Sequence, residues 1–231
     1  MARSKQKQSP APTKMRGDST KWQKKNLSPS QKAYLKRQST DYFAQKAHKE
    51  GFSSRAAYKL QEIDQKFNIL SHASSILDLG CAPGGWLQII YQTNPKAYIA
   101  GIDLIHVSVP ADVHFLQGDF TDPEILASLQ KPDNPYWSVI LSDMAPNTTG
   151  HAETDHLKSM ALAEAAASFA LENLEVTGHF VCKLFQGSET DQFIKYLKEH
   201  FHKVRLFKPE ASRDESREVF AVALDKKPDV L

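Results

Sequence analysis

Short apolar runs and segments of helical periodicity alternate along this chain from residue 75 onward. Seven runs have the length and composition of strands, and they cover residues 75–79, 97–102, 113–117, 138–141, 179–184, 204–208 and 218–224. Four segments between them predict helices over 85–92, 122–129, 155–174 and 189–200. The last two strands have no helix between them, which predicts an antiparallel pair. The pattern therefore predicts an α/β fold with a seven-stranded, mostly parallel sheet, one reversed strand, and helices on both faces.

The N-terminal part of the chain has a different composition. Residues 1–40 are rich in Lys, Gln, Ser and Pro and offer few apolar side chains to bury, which predicts a basic arm that is disordered when free. A helical pattern begins near residue 30 and continues to Ala47, and a second helix is predicted over 54–67. We therefore expect an arm over 1–40, one folded domain over 41–226 and a short tail over 227–231.

The net charge of +2 conceals a strong asymmetry. Residues 1–50 hold 13 Lys and Arg against 3 Asp and Glu, whereas the remainder holds 16 against 24. A basic segment attached to a mildly acidic domain favours a polyanionic partner such as nucleic acid. The alternative is a solvated tail that only aids solubility. A mitochondrial presequence is also basic, but this arm is rich in Lys rather than Arg and has no clear apolar face, which favours a cytoplasmic protein.

Other totals narrow the class of protein. There is no run of 18 apolar residues and no apolar core of a signal peptide, so we expect no contact with a membrane. The two cysteines, Cys81 and Cys182, lie far apart and match no metal-binding spacing, which indicates a reducing compartment and no metal site.

The segment 76–86 reads Ile-Leu-Asp-Leu-Gly-Cys-Ala-Pro-Gly-Gly-Trp, so an apolar strand enters a glycine-rich turn and a helix follows. Glycine lets a ligand approach the backbone closely, and ligands of open α/β sheets bind at the carboxyl ends of strands. The glycines fall at Gly80, Gly84 and Gly85, which is not the G-x-G-x-x-G spacing of a dinucleotide-binding loop. The loop resembles instead the first motif of S-adenosylmethionine-dependent methyltransferases.

Two further acids follow the next two predicted strands. Asp103 ends the second strand in Gly-Ile-Asp-Leu, where a carboxylate can accept hydrogen bonds from both hydroxyls of a ribose. Asp119 follows the third strand in Gly-Asp-Phe and is placed to meet an adenine amino group. Each acid alone could be a helix cap, but the glycine loop and both acids occur in the right order on successive strands, which favours a nucleoside-containing cofactor.

Four ionisable residues form a candidate catalytic set at the same edge of the sheet. Asp143 follows the fourth strand, Lys183 lies within the apolar fifth strand, Glu218 opens the last strand, and Lys59 lies on the second helix. A lysine in a central apolar strand is rarely buried without a partner, and desolvation beside a second cation makes a lysine a usable base. The alternative is a buried ion-pair network that only stabilises the sheet.

These segments together are specific enough to resemble one family, the FtsJ-like ribose 2′-O-methyltransferases. The resemblance covers residues 41 to 224 and rests on five motifs. They are Ser-Arg-Ala-Ala-Tyr-Lys-Leu, Leu-Asp-Leu-Gly-x-Ala-Pro-Gly-Gly-Trp, Gln-Gly-Asp-Phe, Ser-Asp-Met-Ala-Pro-Asn and Ser-Arg-Glu-Val-Phe. Cys81 stands where Ala is common and the basic arm is long, but neither departure touches the candidate catalytic set.

The resemblance implies a Rossmann-like methyltransferase fold, S-adenosylmethionine as cofactor and a ribose 2′-hydroxyl of RNA as methyl acceptor. The family's catalytic Lys-Asp-Lys-Glu tetrad corresponds to Lys59, Asp143, Lys183 and Glu218. Its cofactor contacts correspond to Gly84, Trp86, Asp103, Asp119 and Asp143. The motifs are most similar to those of bacterial enzymes that methylate a uridine ribose of large-subunit ribosomal RNA, so we expect that RNA, within the assembled subunit, as partner of a monomer.

Several alternatives stay open or are disfavoured. Amino-group methyltransferases carry Asn/Asp-Pro-Pro-Tyr/Phe where this chain has Asp143-Met144-Ala145-Pro146, which disfavours that class of enzyme. Cytosine C5 methylation is disfavoured as well, because it needs a nucleophilic cysteine at that edge. The spacing of the glycines in the loop disfavours a nicotinamide-dependent oxidoreductase. A tRNA anticodon loop, capped mRNA, and a non-catalytic RNA-binding role in ribosome assembly remain as rival functions.

The predicted RNA surface joins the arm to basic residues on the first helices and in the loop before the last strand. Such side chains would meet phosphates and give affinity with little sequence choice. The residues are Lys46, Lys49, Arg55, Lys208, Arg213 and Arg217.

Overall fold

The computed structural model describes residues 41–129, 131, 134–213 and 215–228. The predicted arm over 1–40, including the start of its helical pattern, lies outside the described residues. The helices are α1 (Tyr42–Glu50), α2 (Ala56–Phe67), α3 (Gly85–Thr93), α4 (Pro123–Ala127), α5 (Ala152–Asn173) and α6 (Thr190–His200). The strands are β1 (Ser75–Leu79), β2 (Tyr98–Asp103), β3 (Val113–Gln117), β4 (Trp137–Ser142), β5 (Leu174–Phe185), β6 (Phe201–Phe207) and β7 (Glu218–Lys226).

The seven strands form one sheet in the order β3-β2-β1-β4-β5-β7-β6. The pairs from β3 to β5 are parallel, and β7 runs antiparallel to both β5 and β6. The α/β fold with one reversed strand is therefore confirmed. Because β7 is reversed, its first residue lies at the edge where the parallel strands end, and Glu218 pairs with Phe185 at the end of β5.

Both faces of the sheet are covered by helices, as predicted. The side chains of α5 and α6 pack on one face, where Leu77, Phe180 and Phe193 belong to one buried cluster. Helices α2 and α3 cover the other face, where Leu60 and Ile90 pack with strand residues that include Ile76 and Val181. Alternate residues of each strand therefore pack into opposite cores.

Several predicted boundaries were wrong, and strand β6, for example, begins at Phe201 rather than at residue 204. Strand β5 begins at Leu174 rather than at residue 179, because its polar segment from Glu175 to Gly178 hides the strand pattern and the register with β4 is irregular there. Helix α5 begins at Ala152 rather than at Asp155. The Asp155 carboxylate reaches back from the first turn to the backbone N–H groups of Thr149 (2.6 Å) and Gly150 (3.1 Å), so this acid marks the helix start from inside it.

Within the described ranges, each helix is too short or too polar to cross a lipid bilayer.

Candidate active site and cofactor cavity

A cavity of about 430 Å³ opens at the carboxyl ends of β1 to β4. Its wall includes Gly80 after β1, Asp103 at the end of β2, Asp119 after β3 and Asp143 after β4. This is the edge at which open α/β sheets bind ligands. Four of the predicted site residues therefore share one cavity.

The glycines of the loop after β1 lie where a residue with a side chain would clash with its neighbours or strain the backbone. Gly84 has φ +97°, and a Cβ there would lie 2.9 Å from Val107 Cγ1. A Cβ on Gly85 would lie 2.7 Å from Ser54 Oγ and 3.3 Å from the backbone nitrogen of Ala57, so α3 approaches the start of α2 closely. Gly84 and Gly85 do not line the cavity but shape the turn beside it.

Trp86 is placed differently from what a direct cofactor contact by its ring would require. Its indole is buried, donates from Nε1 to the carbonyl of Ala56 (2.8 Å) and packs against the ring of Phe220 with centroids 5.7 Å apart. The ring therefore joins α3 to α2 and the sheet. Only backbone atoms at the start of α3 remain to serve a ligand.

The acids that follow β2 and β3 organise their own loops. The Asp103 carboxylate accepts hydrogen bonds from the backbone N–H groups of Ala82 and Ile105, both at 2.8 Å. Asp119 accepts from the backbone and the hydroxyl of Thr121 at 2.9 and 2.8 Å, and these bonds lower the pKa of Asp119. Both carboxylates line the cavity, and carboxylates of this kind suit ribose hydroxyls and amino groups.

Asp78 is a polar residue of this region whose role the sequence pattern did not predict. It lies on β1 and is only 1% exposed, and neither carboxylate oxygen has a hydrogen-bond partner among the residues described. Burial raises the pKa of Asp78 well above its usual range, and the negative charges of Asp143 and Asp103 raise it further. Buried carboxyl groups are normally paired, so Asp78 suits a ligand that brings a donor or a positive charge.

The predicted tetrad is assembled on the face that α2 covers. Lys183 Nζ lies 2.8 Å from Asp143 Oδ1 and donates to the Asp143 carbonyl at 2.5 Å. Lys59 Nζ lies 2.7 and 2.9 Å from the two oxygens of Glu218 and 3.8 Å from Asp143 Oδ1. The four side chains thus form one continuous chain of opposite charges, Lys183–Asp143–Lys59–Glu218.

Asp143 is the residue that joins the cluster to the cavity. Burial alone would raise the pKa of Asp143, but the Lys183 and Lys59 ammonium groups outweigh it and hold this pKa below its usual range. Asp143 is therefore ionised at neutral pH, with its carboxylate between two lysines and on the cavity wall. A reacting group at this point would meet one fixed negative charge and two amines.

The tetrad comes together because four elements end or pass at one edge. Asp143 directly follows β4, Lys183 lies near the end of β5, and Glu218 begins the reversed strand β7. Lys59 reaches them from the buried face of α2, which also carries Ala57, Leu60 and Ile63. The strand order accounts for the positions of Asp143, Lys183 and Glu218. The prediction that these residues meet therefore depends on an antiparallel last strand.

Neither cysteine has the surroundings of a nucleophile. Cys81 and Cys182 are buried free thiols, and burial raises the pKa of each. Cys182 belongs to the core on the opposite face of the sheet from Val181 and Lys183. Both cysteines are therefore packing residues of the two buried cores.

Five of the six basic residues predicted to meet RNA fall into two groups, and the sixth, Lys46, is half-buried with its Nζ over the Tyr58 ring. Arg55 is half-buried in an ion pair with Asp41 and donates to the Ala211 carbonyl, and Arg213 Nε lies 3.6 Å from the same aspartate. Lys49, Lys208 and Arg217 have exposed side chains, although Lys208 and Arg217 also donate to backbone carbonyls. Arg55 therefore fixes the local structure rather than facing solvent.

The family model of FtsJ-like methyltransferases matches residues 52–226, which include the cavity and all four tetrad residues. This chain belongs to the FtsJ-like methyltransferase family. The family predicted from the motifs is thus confirmed, and with it the methyltransferase class of enzyme.

Curated relatives of this FtsJ-like chain are similar over most of their length. The protein of Caulobacter vibrioides named ribosomal RNA large subunit methyltransferase E is 51% identical over 200 residues, which cover 84% of this chain and 86% of that one. The protein of the same name from Zymomonas mobilis is 46% identical over 190 residues, covering 82% and 86%. Among solved structures, one from Plasmodium falciparum described as a ribosomal RNA methyltransferase has a TM-score of 0.67 and 32% identity, covering 76% and 98%.

Proposed function

We propose that this chain transfers the methyl group of S-adenosylmethionine to a ribose 2′-hydroxyl, and that the acceptor is a uridine of large-subunit ribosomal RNA. The observation that carries the proposal is that Asp143 belongs both to the cavity wall and to the buried tetrad. A donor held in the cavity would therefore lie beside the two lysines, where a ribose hydroxyl can be deprotonated.

The residues around the cavity fit this methyl donor. Asp103 suits the ribose hydroxyls and Asp119 the adenine amino group. Asp78 lies on β1 and not on the cavity wall itself, and its unpaired carboxyl suits a molecule that carries an ammonium and a sulfonium. Gly84 precedes α3 without a side-chain cap, so the first backbone N–H groups of that helix, up to Trp86, can receive a carboxylate. We assign Gly80, Gly84, Gly85, Trp86, Asp103, Asp119 and Asp143 to cofactor binding on this basis.

The chemistry asked of the protein is alignment and removal of one proton. S-adenosylmethionine, when bound, supplies a methyl carbon that is already activated by its sulfonium. A 2′-oxygen attacking that carbon would displace the sulfur, with S-adenosylhomocysteine as the leaving group, and the Lys183 amine would take the hydroxyl proton as general base. Asp143 orients Lys183, and Glu218 holds Lys59 so that its charge balances Asp143.

The choice of acceptor is supported by the relatives and by charge. The curated relatives carry the name of a large-subunit ribosomal RNA methyltransferase, and the first 50 residues hold the excess of Lys and Arg that phosphate contacts require. A 2′-hydroxyl acceptor selects RNA over DNA. We propose that the enzyme works as a cytoplasmic monomer on the assembled large subunit.

The test offers the purified protein tritiated S-adenosylmethionine and three RNAs from cells that lack the enzyme. These are intact large ribosomal subunits, free ribosomal RNA and bulk tRNA. Label in the large-subunit RNA, with intact subunits preferred, is the expected result. Label confined to tRNA would overturn the substrate, and tight cofactor binding without any transfer would favour a non-catalytic role in ribosome assembly.

A further inference from the structure

The loop between β6 and β7 carries a buried hydroxyl that touches the tetrad. Ser212 is 4% exposed, and its Oγ donates to Glu218 Oε1 at 2.7 Å. The same oxygen lies 2.7 Å from Lys59 Nζ, so Glu218 Oε1 receives one contact from the lysine on α2 and one from the serine of its own loop. This serine lies six residues before Glu218 and outside the four-residue set.

The loop that presents Ser212 is fastened to α2. The Glu62 carboxylate accepts hydrogen bonds from the backbone N–H groups of Glu210 (2.6 Å) and Ala211 (2.9 Å), and Arg55 donates to the Ala211 carbonyl. Arg55, Lys59 and Glu62 have the spacing of residues on one helix face. One face of α2 therefore fixes both the loop and the carboxylate that the loop supports.

We propose that Ser212 is a positioning residue, which holds the Glu218 carboxylate in the one orientation that keeps Lys59 between Glu218 and Asp143. Without the hydroxyl, Lys59 is the side-chain contact that remains to the Glu218 carboxylate among the described residues, and the Glu218–Lys59 pair is free to shift as a unit. The distance of 3.8 Å from Lys59 to Asp143 would no longer be maintained. Asp143 would then pair with Lys183 alone, and the balance of charge around the reacting hydroxyl would change.

The inference rests on the proposed methyl transfer, and its test uses the full chain with large-subunit RNA under steady-state conditions, which give kcat and KM separately. We expect Ser212→Ala to lower kcat about tenfold, the factor that one hydrogen bond to a charged group supplies. KM for RNA and the affinity for S-adenosylmethionine should change less than twofold, because Ser212 is not on the cavity wall. In a Glu218→Ala background, the same change should have no further effect, since the serine acts through that carboxylate.

Ser138→Ala is the matched control. Ser138 is also buried, its hydroxyl lies 2.7 Å from that of Ser74, and it sits at the opposite edge of the sheet near the start of β4. This variant should keep the wild-type kcat, while both variants unfold at similar temperatures. An unchanged kcat in Ser212→Ala, or an equal tenfold loss in the Glu218→Ala background, would overturn the inference alone. A wild-type protein that transfers no methyl group would overturn the proposed function itself.

Discussion

Replacing Lys183 by Ala separates the proposed chemistry from cofactor binding. The Lys183 side chain is 6% exposed, and its Nζ contacts Asp143 twice, through Oδ1 at 2.8 Å and the carbonyl at 2.5 Å. It does not line the cavity, whereas Asp143 does. Truncation therefore removes the proposed base while leaving the cofactor wall in place.

The magnitudes follow from these contacts. Loss of a general base lowers the rate by about 10² to 10⁴, so we expect kcat to fall at least about 100-fold. Removing one partner of a buried ion pair destabilises a protein by about 3–5 kcal/mol. Because Lys59 remains 3.8 Å from Asp143 Oδ1, the loss of stability should lie near the lower end of that range. The dissociation constant of S-adenosylmethionine should rise by no more than a few-fold.

Three measurements on one preparation test this prediction. Single-turnover methyl transfer gives the rate, isothermal titration calorimetry gives the cofactor affinity, and urea unfolding gives the stability. Lys226→Ala is the matched control, because Lys226 is equally buried (4% exposed), lies at the opposite end of β7 and donates to the Leu174 carbonyl at 3.3 Å. It should lose stability and keep its rate per folded molecule.

Equal losses of rate and cofactor affinity in Lys183→Ala would refute the assigned role. A rate within tenfold of wild type would refute it as well, since no described residue replaces an amine at that position.

Three further changes probe the cavity, the glycine loop and the buried acid. Asp103→Ala should weaken S-adenosylmethionine binding by about 10-fold to 100-fold in calorimetry, because it removes the carboxylate proposed to hold two ribose hydroxyls. Gly84→Ala should lower the free energy of unfolding by at least about 2 kcal/mol, because φ +97° and the 2.9 Å approach to Val107 both oppose a side chain. Asp78→Asn should gain stability relative to wild type as pH rises above about 4. Because the pKa of Asp78 is raised in the folded state, the folded wild type keeps a proton that the unfolded chain releases above about pH 4. The stability of the wild type therefore falls as the pH rises above that value. Below about pH 4 the difference in stability between the two proteins vanishes.

Each of these changes has a control and a contradicting result. Asp122→Ala removes an exposed carboxylate that caps the start of α4 and should bind cofactor normally, so equal effects from Asp103 and Asp122 would contradict the ribose contact. Gly51→Ala meets the same positive φ with no atom within 4 Å, so a loss as large as that of Gly84 would exclude the proposed clash. Asp112→Asn, which changes an exposed carboxylate in the same way, is the control for Asp78→Asn. A pH-independent difference between Asp78→Asn and the wild type would mean that Asp78 is not neutral in the native state.

The fold and the tetrad were predictable because their signals are local in sequence and simple in topology. Strand and helix periods set the order of elements, and the missing helix before β7 predicted its reversal, which brings Glu218 opposite Phe185 at the end of β5. The motifs then placed Lys59 and Asp143 at the same edge. Strand direction brings Asp143, Lys183 and Glu218 to that edge, and Lys59 reaches them from α2.

The parts that were not predicted depend on side-chain direction. Arg55 appeared to be a basic surface residue, but the helix turns it toward Asp41 and Ala211. The family motif gives Trp86 as a cofactor contact, yet its indole is bound to the Ala56 carbonyl. Asp78 had a visible signal, an acid inside an apolar strand, whereas Ser212 had none, since its contact with Glu218 depends on how the loop is folded.

The position of the transferred methyl group tests the central claim most directly. After reaction with large ribosomal subunits, the RNA is digested to nucleosides and the product is identified by mass spectrometry, with Lys183→Ala run in parallel. Mass added to the ribose of a uridine by the wild type, and absent with Lys183→Ala, is the predicted result. Mass added to a base, or an equal yield from both proteins, would contradict the account of Asp143 and the two lysines as a site for 2′-hydroxyl chemistry.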